Sequence, residues 1–160
     1  MFKSTKSSDN NENLRLMLDS AKAFFDGETD LICLLANLSA LIKLYVDDLN
    51  WAGFYLMKGN ELVLGPFQGL PACARIAAGK GVCGTAAAQG KTIIVPDVHE
   101  FPGHIACDSA SASELVIPFF REGKVYGVLD LDSPLPGRFT ELEAAYLGKI
   151  ADFLTDFLKG

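Results

Sequence analysis

Three of the four cysteines fall where a thiol could take part in chemistry. Cys73 and Cys107 lie in predicted loops, and Cys83 lies at a predicted helix start. Backbone N–H groups at such a start would favour the thiolate of Cys83. One thiol of such a set would attack and another would resolve the product, and the sequence does not rank the three by pKa. Cys33 instead falls inside an apolar helical segment and is predicted to be a small core residue.

The same cysteines leave one metal interpretation open. His104 and Cys107 are three residues apart, and with Cys73 and Cys83 they would form a Cys₃His set of the kind that structural zinc accepts. The sequence has no Cys-x-x-Cys pair, and intervals of 10 and 24 residues separate the three cysteines, which does not match paired ligands. We therefore predict no metal site. Both His99 and His104 are expected to be loop residues rather than bases.

Three acidic residues form a second candidate group. In the segment VLDLD, at 128–132, the two-residue period of a strand puts Asp130 and Asp132 on the same face. Glu114 would come alongside if its strand pairs with this one across the turn at 121–123. Three carboxyl groups in one concave site would raise the pKa of at least one, giving a proton donor near neutrality, while ionised ones would attract an ammonium group. By spacing alone, a D-x-D pair is more often solvated or bound to a divalent metal than catalytic.

Two aromatic residues could form the wall of such a site. Trp51, Gly53 and Tyr55 alternate onto one face of a predicted strand, opposite Ala52 and Phe54. Trp51 is the single tryptophan of the chain, and it could contact an apolar or sulfur-bearing ligand. A role in packing is equally consistent with the pattern.

The elements that must position these residues follow from the hydrophobic periodicity. Helices are predicted at 14–25, 29–45, 85–89 and 140–158, and strands at 51–57, 61–67, 92–95, 114–120 and 124–131. Thr140 and Glu143 form a capping box for the last helix, and Thr29 could cap the second. This order fits an α+β domain with one antiparallel sheet, the terminal helices covering one face. The long loop at 97–113 would then help to form a pocket on the other face.

Composition limits the kind of protein this can be. With 160 residues, of which 49% are hydrophobic and 21% charged, the chain has the size and composition of one globular domain. We expect a flexible tail at 1–13 and a single domain at 14–160. A net charge of −6 disfavours nucleic acid and membrane surfaces as partners. The second helix is apolar on nearly every side, which predicts a homodimer.

The compartment follows from segments that the sequence lacks. The N-terminal segment has no apolar stretch typical of a secretory signal, and no apolar run approaches the roughly 18 residues needed to span a membrane. We therefore expect the protein in a reducing cytoplasm, where free or reactive thiols are common.

Several of these segments together resemble the free methionine-R-sulfoxide reductases, a family of stand-alone GAF domains. The resemblance is carried by WAGFY at 51–55, GVCGTA at 81–86, VPDVH at 95–99, HIACD at 104–108, SASELVIP at 111–118 and VLDLDSP at 128–134. The segment at 70–78 departs from the sequence that is usual in the family, but it retains Cys73. The resemblance covers most of the chain and implies a GAF fold.

The resemblance also implies an activity, the reduction of free L-methionine-(R)-sulfoxide to L-methionine. Cys107 would attack the sulfoxide sulfur to give a sulfenic acid, and Cys73 would resolve it as a disulfide. Thioredoxin or a similar thiol reductant would reduce that disulfide, with no other cofactor. Cys83 would either serve as a second recycling thiol or shape the pocket.

The remaining site residues take their implied roles from the same resemblance. Glu114 and Asp132 would polarise and protonate the sulfoxide oxygen. Asp130, together with Glu114, would hold the substrate ammonium, and Trp51 and Tyr55 would wall the methyl and sulfur end. Two alternatives from other classes stay open: a sensory GAF module that binds a small metabolite without changing it, and a zinc-stabilised interaction domain.

Overall fold

One antiparallel sheet organises the part of the chain that the computed structural model describes, residues 5–105 and 107–160. Six strands contribute to the sheet: β1 (Trp51–Lys58), β2 (Glu61–Gln68), β3 (Arg75–Ala77), β4 (Ile93–Val95), β5 (Ser113–Arg121) and β6 (Lys124–Ser133). Their order across the sheet is β3-β2-β1-β6-β5-β4, and each neighbouring pair is antiparallel. The predicted α+β class with a single antiparallel sheet is confirmed.

Helices cover both faces of this sheet, but unequally. The helices are α1 (Asn10–Phe25), α2 (Leu31–Tyr45), α3 (Gly81–Gln89) and α4 (Glu141–Phe157), and a short 3₁₀ turn spans Val98–Glu100. Helices α2 and α4 pack directly on one face, and α1 packs against both of them. Helix α3 lies on the opposite face with the long loop that follows β4. The predicted placement of the terminal helices on one face, with the pocket on the other, is therefore confirmed.

The alternation of side chains along β1 divides the molecule into two cores. Ala52, Phe54 and Leu56 join the larger core beneath α1, α2 and α4. Trp51 and Tyr55 belong to the smaller core beneath α3. The two-residue period of a strand thus sends each set to the face that the sequence pattern predicted.

Side-chain caps start the first two helices at positions other than the predicted ones. The Asp9 side chain accepts a hydrogen bond from the Glu12 N–H, so α1 begins at Asn10, four residues before the predicted Leu14. Part of the predicted tail at 1–13 is therefore helical, while residues 1–4 lie outside the described residues. In the same way α2 is capped by Asp30, which accepts from the Cys33 N–H, rather than by Thr29.

The prediction that Cys33 is a core residue is wrong. The side chain lies in the first turn of α2 and is only half-buried. The sheet and α1 cover one side of this apolar helix, and the other side leaves Ile32 54% exposed and Leu44 37% exposed. The homodimer that the apolar pattern predicted stays a prediction.

Two elements near the pocket differ from the sequence-based assignment. Strand β3 falls in a predicted loop, because its three residues are too few to show a period and it forms only by pairing with Glu61–Val63 of β2. Helix α3 begins at Gly81 rather than at 85, which brings Cys83 into its first turn. Within the described residues, no helix is long and apolar enough to cross a membrane.

The predicted capping box at the start of α4 is confirmed, and it joins three segments. The Thr140 side chain and backbone N–H both donate to Glu143, and the Asn10 amide of α1 donates to the same carboxylate at 2.9 Å. The Arg138 guanidinium lies 3.0 Å away. Burial acts to raise the pKa of Glu143, but the hydrogen bonds from Thr140 and Asn10 outweigh it and bring this pKa to about 2.

We expect Glu143→Gln to lower the free energy of unfolding at neutral pH by about 1–3 kcal/mol, because a neutral amide replaces the charge that these donors face. The difference from wild type should shrink as the pH falls from 4.5 toward 2. Over that range Glu143 takes up a proton in the unfolded wild-type chain while it stays mostly ionised in the folded one, so the stabilisation by its charge is progressively lost. Urea unfolding at several pH values measures the effect. Glu141→Gln, in the same helical turn but exposed, is the matched control. Equal losses in the two variants would contradict this role of Glu143.

Candidate active site

The register of the three central strands brings the predicted acidic residues together. Glu114 of β5 pairs with Asp132 of β6, and Asp130 lies two residues away on the same face. On the other side of β6, Trp51 of β1 pairs with the same Asp132. The sequence-based expectation that Glu114 would come alongside the two aspartates is confirmed.

These side chains line a cavity between the sheet, α3 and the loop at 97–113. Its volume, open mouth included, is about 520 Å³. Seven of the eight predicted site residues line it: Trp51, Tyr55, Cys83, Cys107, Glu114, Asp130 and Asp132. The eighth, Cys73, reaches the cavity through its bond to Cys107.

Cys73 and Cys107 form a disulfide, with 5.5 Å between their Cα atoms. The bond ties the segment before β3 to the long loop before β5, across 34 residues of sequence. The Tyr55 hydroxyl donates a hydrogen bond to the Cys73 carbonyl at 3.0 Å, which holds this segment over the cavity. The Cys₃His zinc set is incompatible with this disulfide, because both sulfurs are already bonded to each other.

Burial raises the pKa of all three carboxyl groups, and repulsion from neighbouring charges adds to the rise for Glu114 and Asp132. Glu114 and Asp130 are each only 5% exposed. Burial, followed by the charges of Asp130 and Asp132, raises the pKa of Glu114 well above its ordinary value. Burial and then the Asp130 charge do the same for Asp132. For Asp130, burial raises the pKa to about 6, and hydrogen bonds from Cys83 and Glu114 limit the rise. The direction of these shifts agrees with the sequence-based expectation that clustered carboxyl groups have raised pKa values.

The thiol of Cys83 sits among these carboxyl groups rather than at the disulfide. It is buried in the first turn of α3, and its Sγ lies 3.7 Å from Glu114 Oε1. Burial raises its pKa well above the ordinary value, and the charges of Asp130 and Glu114 add to the shift. The expectation that the helix start would favour a thiolate here is wrong, because desolvation and two acidic neighbours outweigh the backbone N–H groups.

Gly53 leaves room for the stack of aromatic rings around Trp51 at one wall of the cavity. The Trp51 ring stacks on Phe67 with 5.3 Å between ring centroids and on Tyr55 with 5.9 Å. A Cβ on Gly53 would lie 2.3 Å from Phe67 Cβ and 2.7 Å from the Trp51 ring, so only glycine leaves room for this stack. The Trp51 indole N–H donates to the Leu70 carbonyl at 3.2 Å. Burial and the Asp130 charge raise the pKa of Tyr55, whose hydroxyl stays a donor.

Two site residues were missed by the sequence analysis. His104 was expected to be an ordinary loop residue, but its Nε2 lies 3.9 Å from Glu114 Oε2. Burial lowers its pKa, so the imidazole is neutral at physiological pH. The Asn50 amide donates to Asp108 at 2.9 Å and to Ser111 at 3.0 Å, which fastens the loop beyond Cys107 to the start of β1. The sequence offered one signal for each residue: His104 lies three residues before Cys107, and Asn50 directly precedes Trp51. Closeness in sequence does not by itself indicate a contact.

Comparison with known proteins agrees with this geometry. Residues 14–155 match the GAF domain family. The chain is 54% identical over 119 residues to the free methionine-R-sulfoxide reductase of Escherichia coli, covering 74% of this chain and 72% of that protein. It is 44% identical over 151 residues to the free methionine-R-sulfoxide reductase of Saccharomyces cerevisiae, covering 89% of this chain and 84% of that one.

A solved structure shows the same similarity in three dimensions. The free methionine-R-sulfoxide reductase of Neisseria meningitidis, in complex with its substrate, superposes with a TM-score of 0.94 and 43% sequence identity. The match covers 99% of this chain and 96% of that one. The chain therefore belongs to the GAF domain family and, within it, to the free methionine-R-sulfoxide reductases.

Proposed function

We propose that this protein reduces free L-methionine-(R)-sulfoxide to L-methionine at the expense of a thiol reductant. The observation that carries the proposal is the disulfide between Cys73 and Cys107, which adjoins a cavity lined by the buried carboxyl groups of Glu114 and Asp130 and the partly buried one of Asp132. A disulfide next to buried proton donors suits a reaction that transfers oxygen from sulfur and releases it as water.

The proposed reaction has two steps, reduction of the sulfoxide and formation of the disulfide. The Cys107 thiolate attacks the sulfoxide sulfur, the oxygen moves to Cys107 Sγ with uptake of a proton, and methionine leaves a sulfenic acid behind. The Cys73 thiol then attacks that sulfenic sulfur, which releases water and forms the Cys73–Cys107 disulfide. The bonded pair in the structure corresponds to the end of this sequence.

The carboxyl groups divide between proton transfer and substrate binding. The pKa values of Glu114 and Asp132 are raised well above their ordinary values, which favours their protonated forms, so we assign them the polarisation and protonation of the sulfoxide oxygen. Asp130, with a pKa of about 6, is ionised at pH 7. Its Oδ1 is buried and has no hydrogen-bond partner among the described residues. An ammonium group would satisfy that oxygen, so we assign Asp130, supported by Glu114, to the substrate amine.

This assignment explains a preference for the free amino acid. A methionine sulfoxide inside a peptide carries an amide in place of the ammonium, and it would leave the Asp130 charge buried without a partner. The stacked rings of Trp51 and Tyr55 are suited to the methyl and sulfur end, because thioether sulfur contacts aromatic rings favourably.

Cys83 is better suited to hold Glu114 than to recycle the disulfide. Its thiol is buried and uncharged, and its Sγ is within hydrogen-bonding distance of the Glu114 carboxyl group. A recycling thiol must instead reach the surface as a thiolate. Of the two roles that the sequence left open, we propose the one in which Cys83 shapes the pocket.

The reductant meets a disulfide that is only half-buried at both cysteines. An external thiolate can therefore approach one of the two sulfurs, and we propose thioredoxin or a similar dithiol in a reducing cytoplasm as the reductant.

We also propose that two chains associate through the exposed apolar side of α2, which includes Ile32 and Leu44.

We expect loss of the R epimer alone when the reduced protein is incubated with racemic free methionine sulfoxide and thioredoxin, as resolved by chiral chromatography. Cys107→Ser should abolish the reaction. Cys73→Ser should form about one methionine per chain and then stall with thioredoxin, because the sulfenic acid is not resolved. Cys33→Ser, which removes a thiol outside the cavity, is the control and should be unaffected. No loss of either epimer in the wild-type protein would favour a sensor that only binds its ligand.

Asp130→Asn should raise KM for free methionine sulfoxide about 30-fold or more, the factor for the roughly 2 kcal/mol of a lost buried charge pair. In the wild-type protein KM should rise as the pH falls below 6, because protonated Asp130 no longer attracts the ammonium. N-acetylmethionine sulfoxide, which lacks the ammonium, is the matched substrate. The variant should discriminate far less between the two substrates than wild type does, and unchanged discrimination would contradict the assignment.

Cys83→Ser should continue through many turnovers, because a hydroxyl still donates to Glu114. Cys83→Ala, which lacks a donor, should lower kcat by about 2–10-fold, the factor for one ordinary hydrogen bond, and should shift the pH profile of kcat. Steady-state kinetics with thioredoxin measures both variants. A Cys83→Ser enzyme that stalls after one turnover would instead show that Cys83 is a recycling thiol.

A further inference from the structure

Cys83, Glu114 and Asp130 bring three potential metal ligands together in the cavity. One sulfur or oxygen atom from each lies within 4.8 Å of the other two, and all three residues are buried. The residues come from α3, β5 and β6, so separate elements fix each ligand. None of the three takes part in the disulfide. We propose that this set binds a thiophilic divalent cation such as Zn²⁺, and that the bound ion inhibits the enzyme.

A second observation supports a cation at this place. Asp130 is 5% exposed and lines the cavity, and among the described residues its Oδ1 has no hydrogen-bond partner. A buried carboxylate oxygen without a partner is costly, and a cation coordinated by it removes that cost. The ion would also offset the repulsion that arises when Glu114 is ionised beside Asp130, because the lining residues of the cavity include no buried cationic side chain.

The donor set selects the class of ion. One thiolate and two carboxylates suit Zn²⁺ or Cd²⁺, whereas Mg²⁺ and Ca²⁺ require oxygen ligands throughout. Tetrahedral zinc places neighbouring ligand atoms about 3.3–3.8 Å apart, so the present spacing needs only small side-chain shifts. The thiol proton of Cys83, and any proton held by Glu114, would be released to solvent on binding. His104 Nε2, 3.9 Å from Glu114 Oε2, lies beside the set and is a candidate fourth ligand.

The position of the ion predicts what it would do. It would occupy Asp130 and Glu114, which are assigned to the substrate ammonium, so metal and free methionine sulfoxide should exclude each other. This inhibitory consequence rests on the proposed reductase function, whereas binding of the ion does not. Because the ligands are independent of the disulfide, the oxidised protein should bind the ion as well.

Cadmium titration of the oxidised protein tests the site, because a thiolate–Cd²⁺ charge-transfer band reports coordination by sulfur directly. With Cys73 and Cys107 bonded to each other, Cys33 and Cys83 are the free thiols, and a Cys33→Ser background leaves only Cys83. We expect the band to saturate near one equivalent, to disappear in Cys33→Ser/Cys83→Ser, and to require at least about tenfold more Cd²⁺ in Cys33→Ser/Asp130→Asn. Zn²⁺ should remove the band by competition. Circular dichroism checks that each variant is folded.

A band that survives the loss of Cys83, or one that never forms in the Cys33→Ser background, would overturn the proposal. A band that is insensitive to Asp130→Asn would also overturn it, because the thiol alone would then be the site. Inhibition is measured separately as a rise in KM for free methionine sulfoxide with added Zn²⁺. A protein that binds Cd²⁺ as expected but reduces no sulfoxide would refute the reductase function and leave the metal site standing.

Discussion

In β6, which is hydrogen-bonded to β1 on one side and to β5 on the other, Asp130 and Asp132 face the cavity. This single register fixes the geometry of the whole site, because Asp132 then lies between Trp51 and Glu114. A shift of one residue in either pairing would turn the aspartates toward the large apolar core. The register of β5 and β6 shifts between Phe119 and Phe120, outside the cavity. This irregularity does not change the pairing of Glu114 with Asp132.

The register concentrates groups that oppose folding. Two buried carboxyl groups, a partly buried one and a buried thiol would be strongly unfavourable as four charges, and the raised pKa values of Cys83, Glu114 and Asp132 limit that cost by favouring their protonated forms. The large core beneath α1, α2 and α4 supplies the burial that offsets what remains. The raised pKa values of these carboxyl groups are thus a consequence of where the fold places the side chains.

Patterns of local origin were predictable from the sequence, and contacts made by tertiary structure were not. The strand period located Asp130 and Asp132, and the capping box located the start of α4. In contrast, β3 exists only through its pairing with β2, and the protonated state of Cys83 follows from neighbours 31 and 47 residues away, Glu114 and Asp130. Cys33 was assigned to the core because apolar periodicity does not show which side of a helix its neighbours cover.

Burial also separates the two kinds of sulfur chemistry. Cys73 and Cys107 lie in loop segments and are half-buried, where an external thiol can reach them, while Cys83 is held by α3 among groups that keep it protonated. A redox pair must exchange electrons with a partner in solution, whereas proton donors retain raised pKa values only if water is excluded. The loop segments leave the disulfide accessible, and the sheet keeps the carboxyl groups away from water. The disulfide adjoins the cavity that holds the carboxyl groups, so the proposed thiol chemistry and proton transfer would take place next to each other.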